Sequence, residues 1–141
     1  MTYGENENHQ YSGGDNDNLS AMVASLMHAD LLILLSDVDG LYTDDPRINP
    51  DAEYIEYVPH LDENLMKMAK HSTGIERGTG GMSTKLQAAM IATKSGCDMV
   101  IVYSRHMKVI HEVVQGRNYG TIFRADPDPD FDLQDYLEST T

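Results

Sequence analysis

Apolar positions along the chain change their period several times, and each change marks a predicted element. Leu19, Met22, Val23, Leu26 and Met27 recur at i, i+3, i+4, i+7 and i+8. That is one face of a helix, which the pattern ends near His28-Ala29. Asp15-Asn16-Asp17-Asn18 precede it and read as its caps. Leu31 to Leu35 is an unbroken apolar run, short enough for a strand buried on both faces. Ser36-Asp37 then stand at that strand's carboxyl end. Asp39-Gly40 is a turn signal, and Thr43 to Asp51, with Pro46 and Pro50, reads as loop.

Further along, Tyr54 to Val58 predicts a short strand, and Leu61 to His71 carries roughly helical spacing. Ser72 to Ser83 is rich in Gly, Ser and Thr. Thr84 to Ser95 predicts a helix with Leu86, Ala89, Met90 and Thr93 on one side and Gly96 as its C-terminal cap. Met99 to Tyr103 is a second buried strand, Val109 to Val114 a helix, Tyr119 to Phe123 a last strand. From Arg124 onward Asp and Pro dominate, and this acidic stretch reads as a solvated tail up to Phe131–Leu137. Helices alternating with short apolar strands predict an α/β domain with a mostly parallel sheet. Ligands bind such sheets at the carboxyl ends of their strands.

Composition narrows the chemistry. The 141 residues are 40% hydrophobic and 23% charged, an ordinary globular balance. One cysteine, Cys97, excludes an internal disulfide framework and fits a reducing compartment. With no secretory pattern at the start and no membrane-length apolar run, a cytoplasmic protein is expected. The net charge of −13 argues against nucleic acid and anionic lipid as partners. An anionic ligand would need amide dipoles, a divalent metal or an isolated lysine to hold it.

Gly78-Thr79-Gly80-Gly81-Met82-Ser83-Thr84-Lys85 supplies such a place: glycines that let amides face a ligand, a helix N-terminus, and a lysine. It is neither a Walker A loop, since Thr84 precedes Lys85 and Leu86 follows it, nor a dinucleotide fingerprint, since Ser83 stands where the third glycine belongs. Spacing alone leaves a phosphate cradle and a plain surface loop about equally supported. Asp15 to Asn18 reads locally as capping. Asp37-Val38-Asp39-Gly40 fails as an EF-hand because its glycine comes too early. The six histidines form no zinc-type pair, and Cys97 reads as packing.

Taken together, Gly14 to Ala21, Leu34 to Thr43, Asp45-Pro46-Arg47, Asn49-Pro50 and Gly78 to Lys85 resemble, in order, the glutamate 5-kinases (gamma-glutamyl kinases), a branch of the amino acid kinase family. The resemblance runs from about Gly14 to Phe123. It implies a three-layer αβα sandwich around a mainly parallel sheet, present as roughly the C-terminal half. It implies a phosphotransferase that moves the γ-phosphoryl group of ATP, with Mg2+, to the side-chain carboxylate of L-glutamate, at the first step toward proline. By position, Ser36 and Asp37 match a nucleotide-contacting pair, and Thr79, Gly80, Gly81, Met82, Ser83, Thr84 and Lys85 match a second nucleotide segment. Asn16 matches a glutamate-binding asparagine. Asp17 matches an aspartate that holds catalytic lysines, so Lys85 and Asp17 are the expected catalytic residues.

The departures shape the rest of the expectation. Nothing before Gly14 matches the family's first strand with its phosphate-binding lysine, and Asn6-Glu7-Asn8-His9 only faintly follows its Asn-Glu-Asn-Asp acceptor loop. An RNA-binding-like domain of the kind appended in some members is not expected. The chain therefore divides into a polar segment 1–13, a nucleotide-binding half 14–123 and an acidic tail 124–141. It is expected to be inactive or weak alone, and to form a homo-oligomer or need the missing N-terminal half. The alternatives are a non-enzymatic nucleotide-binding or regulatory module, and a related amino acid kinase with a different acceptor.

Overall fold

The computed structural model describes residues 13–67, 82–117 and 119–140. The element order is α1 (Gly13–Leu26), β1 (Leu31–Ser36), β2 (Leu41–Tyr42), β3 (Tyr54–Ile55), β4 (Tyr57–Val58), α2 over 63–67, α3 (Met82–Lys94), β5 (Asp98–Tyr103), a 3-10 turn (Ser104–Val109), α4 (Ile110–Val114), β6 (Thr121–Phe123) and α5 (Leu133–Thr140). Four strands form one sheet in the order β1-β5-β6-β4, and β2-β3 form a separate antiparallel ribbon. β1 runs parallel to β5 with Leu31 opposite Asp98 and Ser36 opposite Tyr103. β4 is parallel to β6, and only the β5–β6 pair is antiparallel. The sheet is therefore mainly parallel, as expected.

Strand alternation sorts the core into two faces. Leu32, Leu34, Met99, Ile101 and Phe123 face one side, where α1, α3 and α5 pack. Leu31, Ile33, Val100, Val102 and Ile122 face the other, against Val113 of α4 and Tyr119. Helices thus cover both faces, which is the three-layer arrangement. Small residues let α1 and α3 come close: Ala21 and Ala24 are buried on one helix, Ala88, Ala89 and Ala92 on the other.

Several boundaries differ from the sequence expectation, each for a local reason. α1 starts at Gly13, so Asn16 to Asn18 lie inside the helix rather than capping it. Acidic side chains are favourable in a first turn, where unpaired amides leave a positive dipole. α3 starts at Met82, two residues before the expected Thr84. Tyr54 to Val58 splits, with Tyr54–Ile55 pairing with β2 and Tyr57–Val58 with β6. The acidic segment after Arg124 is not a free tail. Asp126 and Asp128 donate backbone hydrogen bonds to the carbonyls of Thr93 and Lys94, closing the exposed end of α3 (2.9 and 3.1 Å). Phe131, Leu133, Tyr136 and Leu137 then pack onto the core.

Three helices end in the same hydrogen-bonded loop. Behind α3, Gly96 and Cys97 donate to the carbonyls of Thr93 and Ala92, and behind α4 Gly116 and Arg117 donate to those of Val113 and Glu112. Behind α1, His28 and Ala29 donate to Ser25 and Ala24 in the same pattern. This Schellman closure needs a left-handed residue, normally glycine. Gly96 (φ 94°) and Gly116 (φ 98°) supply it, whereas α1 uses His28 at φ 55°.

Candidate functional site

α1 and α3 lie side by side with their N-termini near the carboxyl end of β1. Asp17, in the first turns of α1, and Lys85, in the first turn of α3, are each more than nine-tenths buried. Lys85 Nζ donates to Asp17 Oδ2 at 3.1 Å. Burial pushes the Asp17 carboxyl above its ordinary pKa, more strongly than Lys85 and the Thr84 hydroxyl, which donates to it, pull it down; the nearby Asp37 charge adds to the rise. The carboxylate is thus held in a place that does not favour its charge, and Lys85 is what keeps it there.

The neighbouring side chains set the register of the two helices. Asn18 Nδ2 donates to Gln87 Oε1 (3.2 Å), one residue on from Asp17 and two on from Lys85. Ser25 Oγ donates to Ser95 Oγ (2.8 Å) at the far end. These rungs were not read from sequence; polar residues at helix-facing positions flanked by alanines were the available signal. Asn18 Oδ1 is buried and has no hydrogen-bond partner among the described residues.

β1 ends on Ser36, which is buried and accepts the amide of Val38 on Oγ (3.1 Å). That bond turns the chain sharply after the strand and leaves Asp37 exposed beside the site. Asn16 is half-buried, one residue before Asp17. Met82 is buried, and Ser83 and Thr84 are half-buried in the first turn of α3. The structure therefore brings Asp17, Asp37, Thr84 and Lys85 together and puts Ser36 at the adjoining strand end. Thr79, Gly80 and Gly81, with Gly78, lie outside the described residues, as do Asn6 to His9. Thr84 has a clear structural role as well: its hydroxyl is a second anchor for Asp17.

The β2–β3 ribbon and the loop between its strands are held from both sides. Asp45 is buried and takes Arg47 in a two-point ion pair, Nε to Oδ1 at 2.9 Å and NH2 to Oδ2 at 2.8 Å. Arg47 holds the Asp45 carboxyl below the usual carboxylate range. Thr121, fully buried on β6, donates to the Ile55 carbonyl (2.6 Å) and accepts the Leu41 amide (2.9 Å), fastening the β2–β3 ribbon to the sheet. Cys97 is buried, and burial pushes its thiol up to about 11, so it is packing and not a nucleophile.

A chemical class follows from this geometry. Two helix N-termini converge on a strand's carboxyl end, with a lysine at the focus and no acidic residue in the first turn of α3. Helix N-termini at a strand's carboxyl end are where phosphate-handling α/β enzymes receive anions. A family model described as the Amino acid kinase family matches residues 2–103, and the chain belongs to that family. Curated relatives include the glutamate 5-kinases of Clostridium tetani (50% identical over 112 residues, 79% of this chain and 42% of that protein) and Streptococcus suis (51% over 113 residues, 80% and 31%). That of Idiomarina loihiensis is 46% identical over 127 residues, 90% of this chain and 34% of that protein. The chain thus spans well under half the length of these relatives.

Solved structures agree on the fold. The isopentenyl phosphate kinase of T. acidophilum superposes with a TM-score of 0.54 at 24% identity, over 77% of this chain and 38% of that one. Carbamate kinase from Giardia lamblia, solved with AMP-PNP, gives 0.54 at 21% identity (75% and 30%), and uridylate kinase from Archaeoglobus fulgidus 0.53 at 22% (76% and 45%). No described helix is long and apolar enough to cross a membrane.

Proposed function

We propose that this chain supplies the nucleotide-handling half of a kinase that transfers the γ-phosphoryl group of ATP to the side-chain carboxylate of glutamate. The observation that carries the reading is the buried Lys85–Asp17 pair at the joined N-termini of α1 and α3, in a chain about half identical to glutamate 5-kinases. Phosphoryl transfer is mainly positioning and charge stabilisation. Lys85 would offset charge on the transferring group. Asp17, with Thr84, would hold the ammonium in place rather than act as a base, because a glutamate carboxylate is already ionised at pH 7. Amides of the α3 first turn and the Ser36-Asp37 strand end would receive the rest of the nucleotide, and Asn16 the amino acid.

No group of three or more metal-ligating side chains occurs among the described residues, and Asp17 is engaged by Lys85. Mg2+ would then arrive bound to ATP, the usual way this ion reaches kinases. Mg2+ is then part of the substrate. Calorimetry with Mg-ATP tests the reading: weak binding to the wild type that is lost in Lys85→Ala is expected, while no binding, or equal binding by the variant, refutes it. A coupled ADP-release assay with glutamate should show negligible turnover by the chain alone. Tight nucleotide binding without turnover in a reconstituted two-part protein would instead favour a regulatory module.

A further inference from the structure

Lys85 and Asp17 face each other across a seam of small side chains. Ala21 and Ala24 of α1 and Ala88 and Ala92 of α3 are buried along it. Alanines let two helices approach but offer no tall ridges to interlock, so they leave the axial register open. Two polar rungs cross the seam. Asn18 Nδ2 donates to Gln87 Oε1 at 3.2 Å, one residue from Asp17 and two from Lys85. Ser25 Oγ donates to Ser95 Oγ at 2.8 Å, about two turns further along both helices. The rungs differ in kind. Serine hydroxyls rotate to suit their partner, whereas amides are planar and directional. Asn18 Oδ1 is also buried with no hydrogen-bond partner among the described residues. A buried amide with an unpaired atom is a cost to stability, and between helices such a group acts by specifying register.

We propose that Asn18 and Gln87 are positioning residues: their hydrogen bond sets how far along α1 Lys85 stands, and with it the ammonium's hold on Asp17 and its reach toward a bound phosphate. This deepens the kinase reading above and rests on it for the phosphate alone; the hold on Asp17 is a property of the pair itself. Lys85 Nζ and Asp17 Oδ2 are 3.1 Å apart, near the long end of a hydrogen bond. A further separation of about 0.5 Å, a third of one helical rise, takes them past bonding distance. The near rung restrains that separation. The far rung lies about 15 Å on from Lys85 along α3 and restrains only the other ends of the helices.

Three variants separate the roles. Asn18→Leu with Gln87→Met replaces the near rung by apolar side chains of similar size. Ser25→Ala with Ser95→Ala removes the far rung. Asn18→Gln with Gln87→Asn exchanges the two amides and keeps their summed length. Each is followed by thermal melting, by carbon-13 NMR titration of the Asp17 carboxyl, and by calorimetry with Mg-ATP. The groups that act on Asp17, namely Lys85, Thr84 and Asp37, are left in place by all three.

Loss of the near rung should leave the melting temperature at or above that of the wild type, since removing both partners of a hydrogen bond is nearly neutral. It should move the Asp17 titration to higher pH, because Lys85 then pulls it down less. It should weaken Mg-ATP binding about fivefold, the worth of one net hydrogen bond. The exchanged pair should restore both, and loss of the far rung should move neither. If the apolar pair does not fold, Asn18→Ala carries the same expectations for titration and affinity. A wild-type titration or a wild-type affinity without the near rung overturns the proposal, and so does an equal change on losing the far rung. Absence of Mg-ATP binding by the wild type sinks the kinase reading alone, and the titration then decides the proposal by itself.

Discussion

Replacing Lys85 with Met keeps most of the side chain's bulk and removes its charge, leaving Asp17 in a buried place without its cation. At 3.1 Å and an effective dielectric of about 20, the gross attraction between the two charges is about 5 kcal/mol. Yet the Asp17 carboxyl sits above its ordinary pKa, so burial already outweighs this attraction in the wild type. Breaking a pair of this kind by removing one partner costs about 3–5 kcal/mol, because the remaining charge is uncompensated. Lys85→Met is therefore expected to lose about 3 kcal/mol or more at pH 8.

The sign of its pH dependence is fixed. Without Lys85 the folded-state pKa of Asp17 rises further above its unfolded value. The penalty is then fully present above the folded pKa and is relieved as pH falls toward the unfolded one, because the folded state takes up a proton. Urea unfolding followed by far-UV circular dichroism at pH 5 and pH 8 measures this. The deficit should be clearly smaller at pH 5, and the double variant Asp17→Asn, Lys85→Met should lie within about 1–2 kcal/mol of the wild type at both pH values. A deficit equal at the two pH values, or one that persists in the double variant, would show that Lys85 acts by packing and not by charge.

Four further outcomes are expected. His28→Gly should raise stability by about 1 kcal/mol in the same unfolding assay, because His28 alone among the three matching helix ends pays the left-handed penalty. Gly120→Ala should abolish cooperative folding in a thermal melt: a Cβ there would lie 1.8 Å from the Ile101 carbonyl oxygen at φ 90°, forcing β6 off β5. Thr121→Val is isosteric but removes the hydroxyl that bridges the Leu41 amide and the Ile55 carbonyl, at a cost of about 1–3 kcal/mol read by urea titration. Asp45→Asn should flatten the acid limb of the stability curve; the lowered Asp45 pKa gives stability present above the unfolded value and lost as pH falls through the folded one.

The elements that depend on nearest neighbours were legible. β1 and β5 stand within a residue of their apolar runs, and Gly96 takes the left-handed cap position that its place after a helical pattern implies. What was not legible depends on partners distant in the chain. Tyr54 to Val58 looks like one strand, and only the separate claims of β2 and β6 on its two ends divide it. The segment after Arg124 looks solvated because its charge is counted residue by residue. Its aspartate amides are donors as well, and the carbonyls at the end of α3 needed them.

The candidate site shows the same division in sharper form. Asp15 to Asn18 has two local explanations, capping and ligand binding, and the local pattern favours capping. The helix in fact begins at Gly13, which removes Asp17 from any capping position and leaves its side chain free to cross to α3. That crossing depends on Ala21, Ala24, Ala88 and Ala92, which let the helices approach, and on the Asn18–Gln87 and Ser25–Ser95 rungs that fix their register. A fold seeking stability alone would gain by replacing the ion pair with apolar side chains of equal volume. A carboxylate raised in pKa by burial and held by a lysine at the first turns of two helices is the kind of perturbed pair that functional sites use. The charge pair is therefore consistent with the nucleotide role proposed for it as well as with its place between the two helices.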